Sequence, residues 1–161
     1  MKRLLTTILF FALGTNLIMA QDFFKGLDAY EAGDYTTAMI EWKPLAEKGD
    51  ANAQLNVGFM YKDGLGVIQD YTEAVKWLRM SAEQGHEVGQ IGLGMMYKYG
   101  DGVLQDNVTS HMWYNIASAN GHKKAGEYRD ERAAFMTTSD ISKAQAMARE
   151  CMKSDYKKCG Y

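Results

Sequence analysis

Gly64-Leu65-Gly66-Val67-Ile68-Gln69-Asp70 returns 36 positions later as Gly100-Asp101-Gly102-Val103-Leu104-Gln105-Asp106. Around this stretch, residues 51–86 laid over 87–122 agree at thirteen positions, where about two are expected from average residue usage. Besides the quoted segment the matches are Gln54/Gln90, Gly58/Gly94, Met60/Met96, Tyr61/Tyr97, Lys62/Lys98, Trp77/Trp113, Gly85/Gly121 and His86/His122. A half-copy precedes them, with Asp34, Tyr35, Ala38, Ala46 and Gly49 standing 36 residues before Asp70, Tyr71, Ala74, Ala82 and Gly85. The chain is a short array of one unit.

Each unit reads as helix, glycine loop, helix. Leu55, Gly58 and Tyr61, like Ile91, Gly94 and Tyr97, recur every three residues and share one side of a helix, the side expected to face its partner. A mid-helix glycine costs about 1 kcal/mol against alanine, which close approach of the paired helix backbone would offset at Gly58 and Gly94. Gly64 and Gly100 suit the left-handed residue that closes a helix. Gly66 and Gly102 permit a second bend, and Val67 is expected to plug the open end of the hairpin. Asp70 and Asp106 are the expected N-caps. Glu73 completes a capping box with Asp70, whereas Thr109 stands at that place in the second unit and predicts a weaker start. On the second helix Ala74, Trp77, Leu78 and Ala82 form one apolar stripe, answered by Ser110, Trp113, Tyr114 and Ser118. Gly85 and Gly121 then stop these helices.

Together these residues resemble the Sel-one-like repeat (SLR) family, a branch of the tetratricopeptide-type helical solenoids. Its signature appears as Ala53, Val57-Gly58, Tyr61, Gly64-Leu65-Gly66-Val67, Asp70, Ala74, Trp77, Ala82 and Gly85, then as Leu93-Gly94, Tyr97, Gly100-Asp101-Gly102-Val103, Asp106, Trp113 and Gly121. Gly89, Ser110 and Ser118 replace alanines of the signature, and Ile68 and Leu104 stand where members often carry proline. The resemblance implies an all-α solenoid of antiparallel helix pairs, about eight helices after a leader. It also implies a protein or peptide partner held on a concave face lined by the first helix of each pair. Residues on that helix not committed to packing are the candidate contacts: Asn56, Phe59 and Lys62 in one unit, Gly92, Met95 and Lys98 in the next. Residues 129–150 are similar to the C-terminal extension of many exported bacterial members.

The expected organisation is a leader over 1–20, an N-terminal helix pair over 21–50, repeats over 51–86 and 87–122, and capping helices with a cysteine-containing tail over 123–161. Caps are needed because an open terminal unit would expose its apolar face. Phe23, Phe24, Leu27 and Tyr30 form a first helix that breaks at Gly33. Lys123 to Phe135 reads as another, and Thr138 or Ser139 starts a last one carrying Ile141, Ala144, Ala148 and Met152.

The leader reading rests on Lys2 and Arg3, the apolar run Leu4 to Leu13, and Ala20 before the cleavage point. The run is too short for a comfortable membrane span, so a periplasmic or secreted protein is expected, and the chain is taken to be a monomer. Losing Lys2 and Arg3 takes the formal charge from −2 to −4. An acidic chain without a Lys/Arg stripe has no general attraction for nucleic acid. Cys151 and Cys159 are the only cysteines, and in an oxidising compartment they are expected to form a disulfide.

No set of titratable residues converges on one place, so neither catalysis nor a cofactor nor a metal is expected. His86 and His122, each following a helix-ending glycine, read as solvent-facing loop residues, and His111 as a packed or surface side chain. Ser154-Asp155-Tyr156-Lys157 has the serine-x-x-lysine spacing of penicillin-recognising enzymes. Some exported, cysteine-rich relatives are described as penicillin-binding or β-lactamase-like, which makes an envelope enzyme with Ser154 as nucleophile the alternative. A secreted, effector-like adaptor engaging a receptor is a third reading. Asn107-Val108-Thr109 matches a glycosylation sequon but reads as a helix start. Met60, Met95, Met96 and Met112 are candidates for an adaptable binding face, with core filling the expected use of Met60 and Met96.

Overall fold

The computed structural model describes residues 23–159; the leader expected over 1–20 lies outside them. Those residues form helices α1 (23–31), α2 (Tyr35–Glu47), α3 (Ala51–Asp63), α4 (Tyr71–Ala82), α5 (Glu87–Tyr99), α6 (Asn107–Ala119), α7 (Ala125–Ala133) and α8 (Thr138–Lys153). Among the described residues there is no strand. Consecutive helices from α2 to α7 pack in order, α8 folds back on α6, and α3 touches α5. The architecture is an all-α solenoid of helix pairs.

Aspartate caps set the starts. Asp34, Asp50, Asp70 and Asp106 each accept a backbone N–H from the first turn of the following helix. Left-handed Gly64 and Gly100 close α3 and α5. Gly85 and Gly121 act two or three residues beyond the ends of α4 and α6, where the next N–H returns to the helix: His86 N–H donates to Ser81 O and His122 N–H to Ala117 O.

The capping box does not form. Asp70 accepts from the Thr72 and Glu73 N–H groups, but the Glu73 carboxylate accepts from Trp77 Nε1 at 3.1 Å and pairs with Lys76, while the Asp70 N–H donates to Tyr61 O. A tryptophan one turn along offers Glu73 a better partner than a backbone N–H already held by the loop. Thr109 instead donates its hydroxyl to Asp106 at 2.6 Å.

The glycines on α3 and α5 mark where pairs close. A Cβ on Gly58 would lie 2.8 Å from Leu78 Cγ and 3.2 Å from its backbone N; one on Gly94 would lie 2.7 Å from the Tyr114 ring. The close approach is therefore to a side chain as much as to backbone. Trp42 occupies the same position in α2, 36 residues before Leu78, and lies on Gly26 of α1. The glycine offset there is shorter than 36 because residues 32–34 join the first pair and residues 64–70 join the next.

The buried face of α3 is Ala53, Gln54, Val57, Gly58 and Met60, with Leu55 and Tyr61 half-buried at its margins. The expected stripe is thus rotated, with only Gly58 at its centre. Buried Gln54 donates to Ala46 O and accepts from Gln84; one repeat on, buried Gln90 donates to Ala82 O and accepts from Asn120. These glutamines give a second donor to carbonyls at the ends of α2 and α4 that already accept the Gly49 and Gly85 N–H groups, and so tie each helix end to the following pair. Trp77 packs among α2 and α3 side chains, and Trp113 among those of α4 and α5. Each tryptophan thereby binds its own pair to the one before it. Met60, Met96 and Met112 are all core residues, so of the four methionines only Met95 stays accessible.

At the C-terminal end α7 is shorter than the span 123–135 expected for it, and Lys124 supplies no side-chain cap. Helix α8 buries Ala144, Ala148 and Cys151 against the core. Cys151 and Cys159 form a disulfide, both sulfurs inside that core beside Met112, Trp113 and Ile116. Tyr156, at φ 60°, folds over Gly85 and exchanges hydrogen bonds with Asn120.

Candidate partner-binding face

The first helices α1, α3, α5 and α7 stand side by side, and two hollows open between them. One, of about 220 Å³, is lined by Leu27 and Tyr30 of α1, Trp42 of α2, and Asn56, Phe59 and Asp63 of α3. The other, of about 140 Å³, is lined by Met95, Lys98 and Tyr99 of α5, Tyr114 of α6, and Tyr128 and Glu131 of α7. Between α3 and α5 the corresponding space is filled. Phe59 leans over Gly92, where a Cβ would lie 3.3 Å from the ring.

The candidate residues therefore divide by hollow. Asn56 and Phe59 line the first, Met95 and Lys98 the second, and Gly92 is the floor on which Phe59 rests. Lys62 lies outside both, paired with Asp63 and 5.9 Å from the centre of the Phe59 ring. Lys98 pairs with Glu131 at 2.9 Å. The contact raises the lysine above its ordinary pKa and holds the glutamate below its own, so both stay charged at the rim.

Several lining residues escape the sequence reading, although the repeat offset reaches some of them. Tyr128 and Glu131 stand 36 residues after Gly92 and Met95, and carrying the candidate positions forward into the cap would have found both. Leu27 and Tyr30 are displaced by the short first connection. Trp42 and Tyr114 come from second helices, filling the hollows from below. The Tyr114 and Tyr128 rings lie 5.7 Å apart, and burial raises the Tyr114 phenol above its usual pKa.

The remaining sequence candidates have structural occupations. His86 is the N-cap of α5: Nδ1 accepts the Gly89 N–H, which leaves Nε2 as the protonated nitrogen, 3.0 Å from Asn52 Oδ1. It is thus a capping residue and not a free loop side chain. His122 caps nothing, since α7 begins at Ala125. His111 is buried, its Nδ1 has no hydrogen-bond partner, and burial aided by the Arg129 charge lowers its pKa. Asn107, in the sequon, accepts from Arg132.

Ser154 ends α8. Its hydroxyl donates to Cys151 O at 2.8 Å and accepts the Lys158 N–H at 2.9 Å. Both contacts fold the turn that carries the disulfide. Among the described residues no group of three or more His, Cys, Asp or Glu side chains converges as a metal site, and no helix is long and apolar enough to cross a membrane.

The Sel1 repeat profile matches residues 51–86 and 88–122. Among solved structures, the chain is similar to c5321, a protective antigen present in uropathogenic Escherichia coli strains and displaying an SLR fold. The identity is 26% and the TM-score 0.81, over 86% of this chain and 31% of that one. The chain thus spans about a third of that relative's length. It is also similar to a Sel1 repeat protein from Oxalobacter formigenes, at 32% identity and TM-score 0.63 over 70% of this chain and 88% of that one. No curated protein matches significantly. With both repeats recognised and a Sel1 repeat protein of known structure matched over most of its length, the chain belongs to the Sel1 repeat family.

Proposed function

We propose that the chain is an exported interaction scaffold that holds an extended segment of a partner protein across its first helices. Sel1 repeats generally mediate protein–protein interaction. The observation that carries the finer reading is the pair of aromatic-lined hollows between α1 and α3 and between α5 and α7. An apolar floor with a few polar groups at the rim suits an inserted side chain. Neighbouring helices pack about 8–10 Å apart, so hollows two helices apart are separated by about 16–20 Å. At about 3.3 Å per residue an extended segment spans that distance in five or six residues. The partner would carry two large apolar side chains at that spacing, the second beside a charged group that answers Lys98 or Glu131.

Export is supported by the leader sequence and by the disulfide, which persists in oxidising compartments. A partner in the periplasm or outside the cell follows, including the receptor of an effector-like adaptor. Placing bulk in both hollows tests the reading. Asn56→Arg with Met95→Arg should abolish retention of the native partner in affinity capture from the envelope fraction, with the far-ultraviolet dichroism of the wild type. Undiminished retention would overturn it.

A further inference from the structure

A second surface lies along the edge where the first helix of each pair turns into the second. Apart from Phe24 and Ile40, the exposed large apolar residues of the described chain fall there: Tyr30 ending α1, Tyr71 opening α4, Tyr99 ending α5, Ile68 and Leu104 in the loops, and Phe135 after α7. Ile68 and Leu104 hold the same repeat position and are 91% and 89% exposed; Tyr99 and Phe135 also stand 36 residues apart and are 58% and 68% exposed.

The edge is continuous. The Tyr30 ring lies 5.2 Å from that of Tyr35, whose carbonyl abuts Gly66. Gln69 donates to the Tyr71 hydroxyl, the Tyr71 carbonyl abuts Gly102, Arg132 donates to Asn107, and the same guanidinium lies 4.8 Å from the Phe135 ring centre. Apolar surface repeated along one continuous edge marks an interaction site more than scattered single residues do.

Charge selects the occupant. Along this edge Asp63, Asp70, Glu73, Asp101, Asp106 and Glu131 outnumber Lys62, Lys76, Lys98 and Arg132 by six to four, and each of the three lysines is paired with a carboxylate. A second copy presenting the same edge would set like charges together, and an anionic lipid surface would be repelled. We propose that this loop edge docks a segment of another protein in which apolar side chains alternate with lysine or arginine. Tyr30 and Tyr99 also border the hollows, but Ile68 and Leu104 line neither, so changes at these two test the edge separately from the groove.

The probe is an eight-residue peptide of alternating Lys and Leu, compared with one of alternating Glu and Leu. Backbone amide shifts of the full mature chain are followed during titration. The Lys-Leu peptide should move Val67, Ile68, Gln69, Val103, Leu104 and Gln105 while leaving Asn56 and Gly92 in place. The double variant Ile68→Ser, Leu104→Ser should bind it at least tenfold more weakly with unchanged helicity. Absence of binding, equal binding of the Glu-Leu peptide, or undiminished binding by the double variant would overturn the proposal. So would capture by phosphatidylglycerol vesicles that the double variant loses, or a dimer that it dissociates. Either would assign the edge to lipid or to a second copy.

Discussion

Gly66 lies against the carbonyl of Tyr35, so close that a Cβ there would be 2.4 Å from the oxygen, and Gly102 meets Tyr71 in the same way at 2.3 Å. Both glycines have positive φ, and both carbonyls begin the second helix of the preceding pair. The loop of each repeat is thus seated on the start of the previous one. This backbone-to-backbone contact fixes the stacking, because neither side can be repacked by changing a rotamer.

Gly102→Ala is therefore expected to destabilise the protein by about 3 kcal/mol or more, combining the left-handed penalty with overpacking against backbone. Gly33→Ala is the control. Gly33 also has positive φ, but nothing lies within 4 Å of the place a Cβ would take, so about 1–2 kcal/mol is expected there. Urea unfolding of the two variants checks the difference.

Gly58→Ala should behave differently, because its nearest obstacle is the Leu78 side chain. Overpacking of about 1–3 kcal/mol opposes a helix-propensity gain of about 1 kcal/mol. Trimming the obstacle with Leu78→Ala removes the two shortest contacts and leaves the one to the Leu78 backbone N, so the double variant should be more stable than the two single losses summed. A double-mutant cycle in thermal unfolding reads this coupling.

His111 predicts a pH response. Burial and the Arg129 charge favour its neutral form in the fold, against a smaller opposing influence of Asp130. A histidine whose folded pKa is depressed takes up its proton more readily when unfolded, so its contribution is complete above the unfolded value of about 6.5 and is lost as pH falls below it. The melting temperature should fall between pH 7 and pH 5 more steeply in the wild type than in His111→Gln. Parallel profiles would contradict this.

The disulfide closes a short loop whose sulfurs are both buried. Cys151→Ser with Cys159→Ser should cost about 2–3 kcal/mol in the chain-entropy picture. In the native wild type the bond should resist dithiothreitol until denaturant is added, because exchange requires access to a sulfur. Thiol alkylation followed by mass measurement resolves the two cases.

Local chemistry made the helices legible. The glycine and aspartate frame marks where helices stop and start, since left-handed closure and N-capping are written in single residues. What one repeat does to the next was less visible. Nothing in Gly66 itself names Tyr35 as its neighbour, and Glu73 satisfies the capping-box pattern while bonding Trp77. His86 caps α5 by accepting the Gly89 N–H three residues on, and Asn52 of the preceding pair meets its other ring nitrogen. Of the candidate face, Asn56, Phe59, Met95 and Lys98 were within reach of repeat spacing. Phe59 also covers Gly92, a packing role that only the adjacency of α3 and α5 creates.

The most direct test places a photo-cross-linking phenylalanine at Asn56, at Met95 and, as the outward control, at Ile40 in the protein within its own cells. Binding across the first helices predicts that Asn56 and Met95 attach to one partner, at sites about five or six residues apart in its sequence, and that Ile40 does not attach to it. Cross-links to that partner from Ile40 alone, or from neither inner position, would contradict the account.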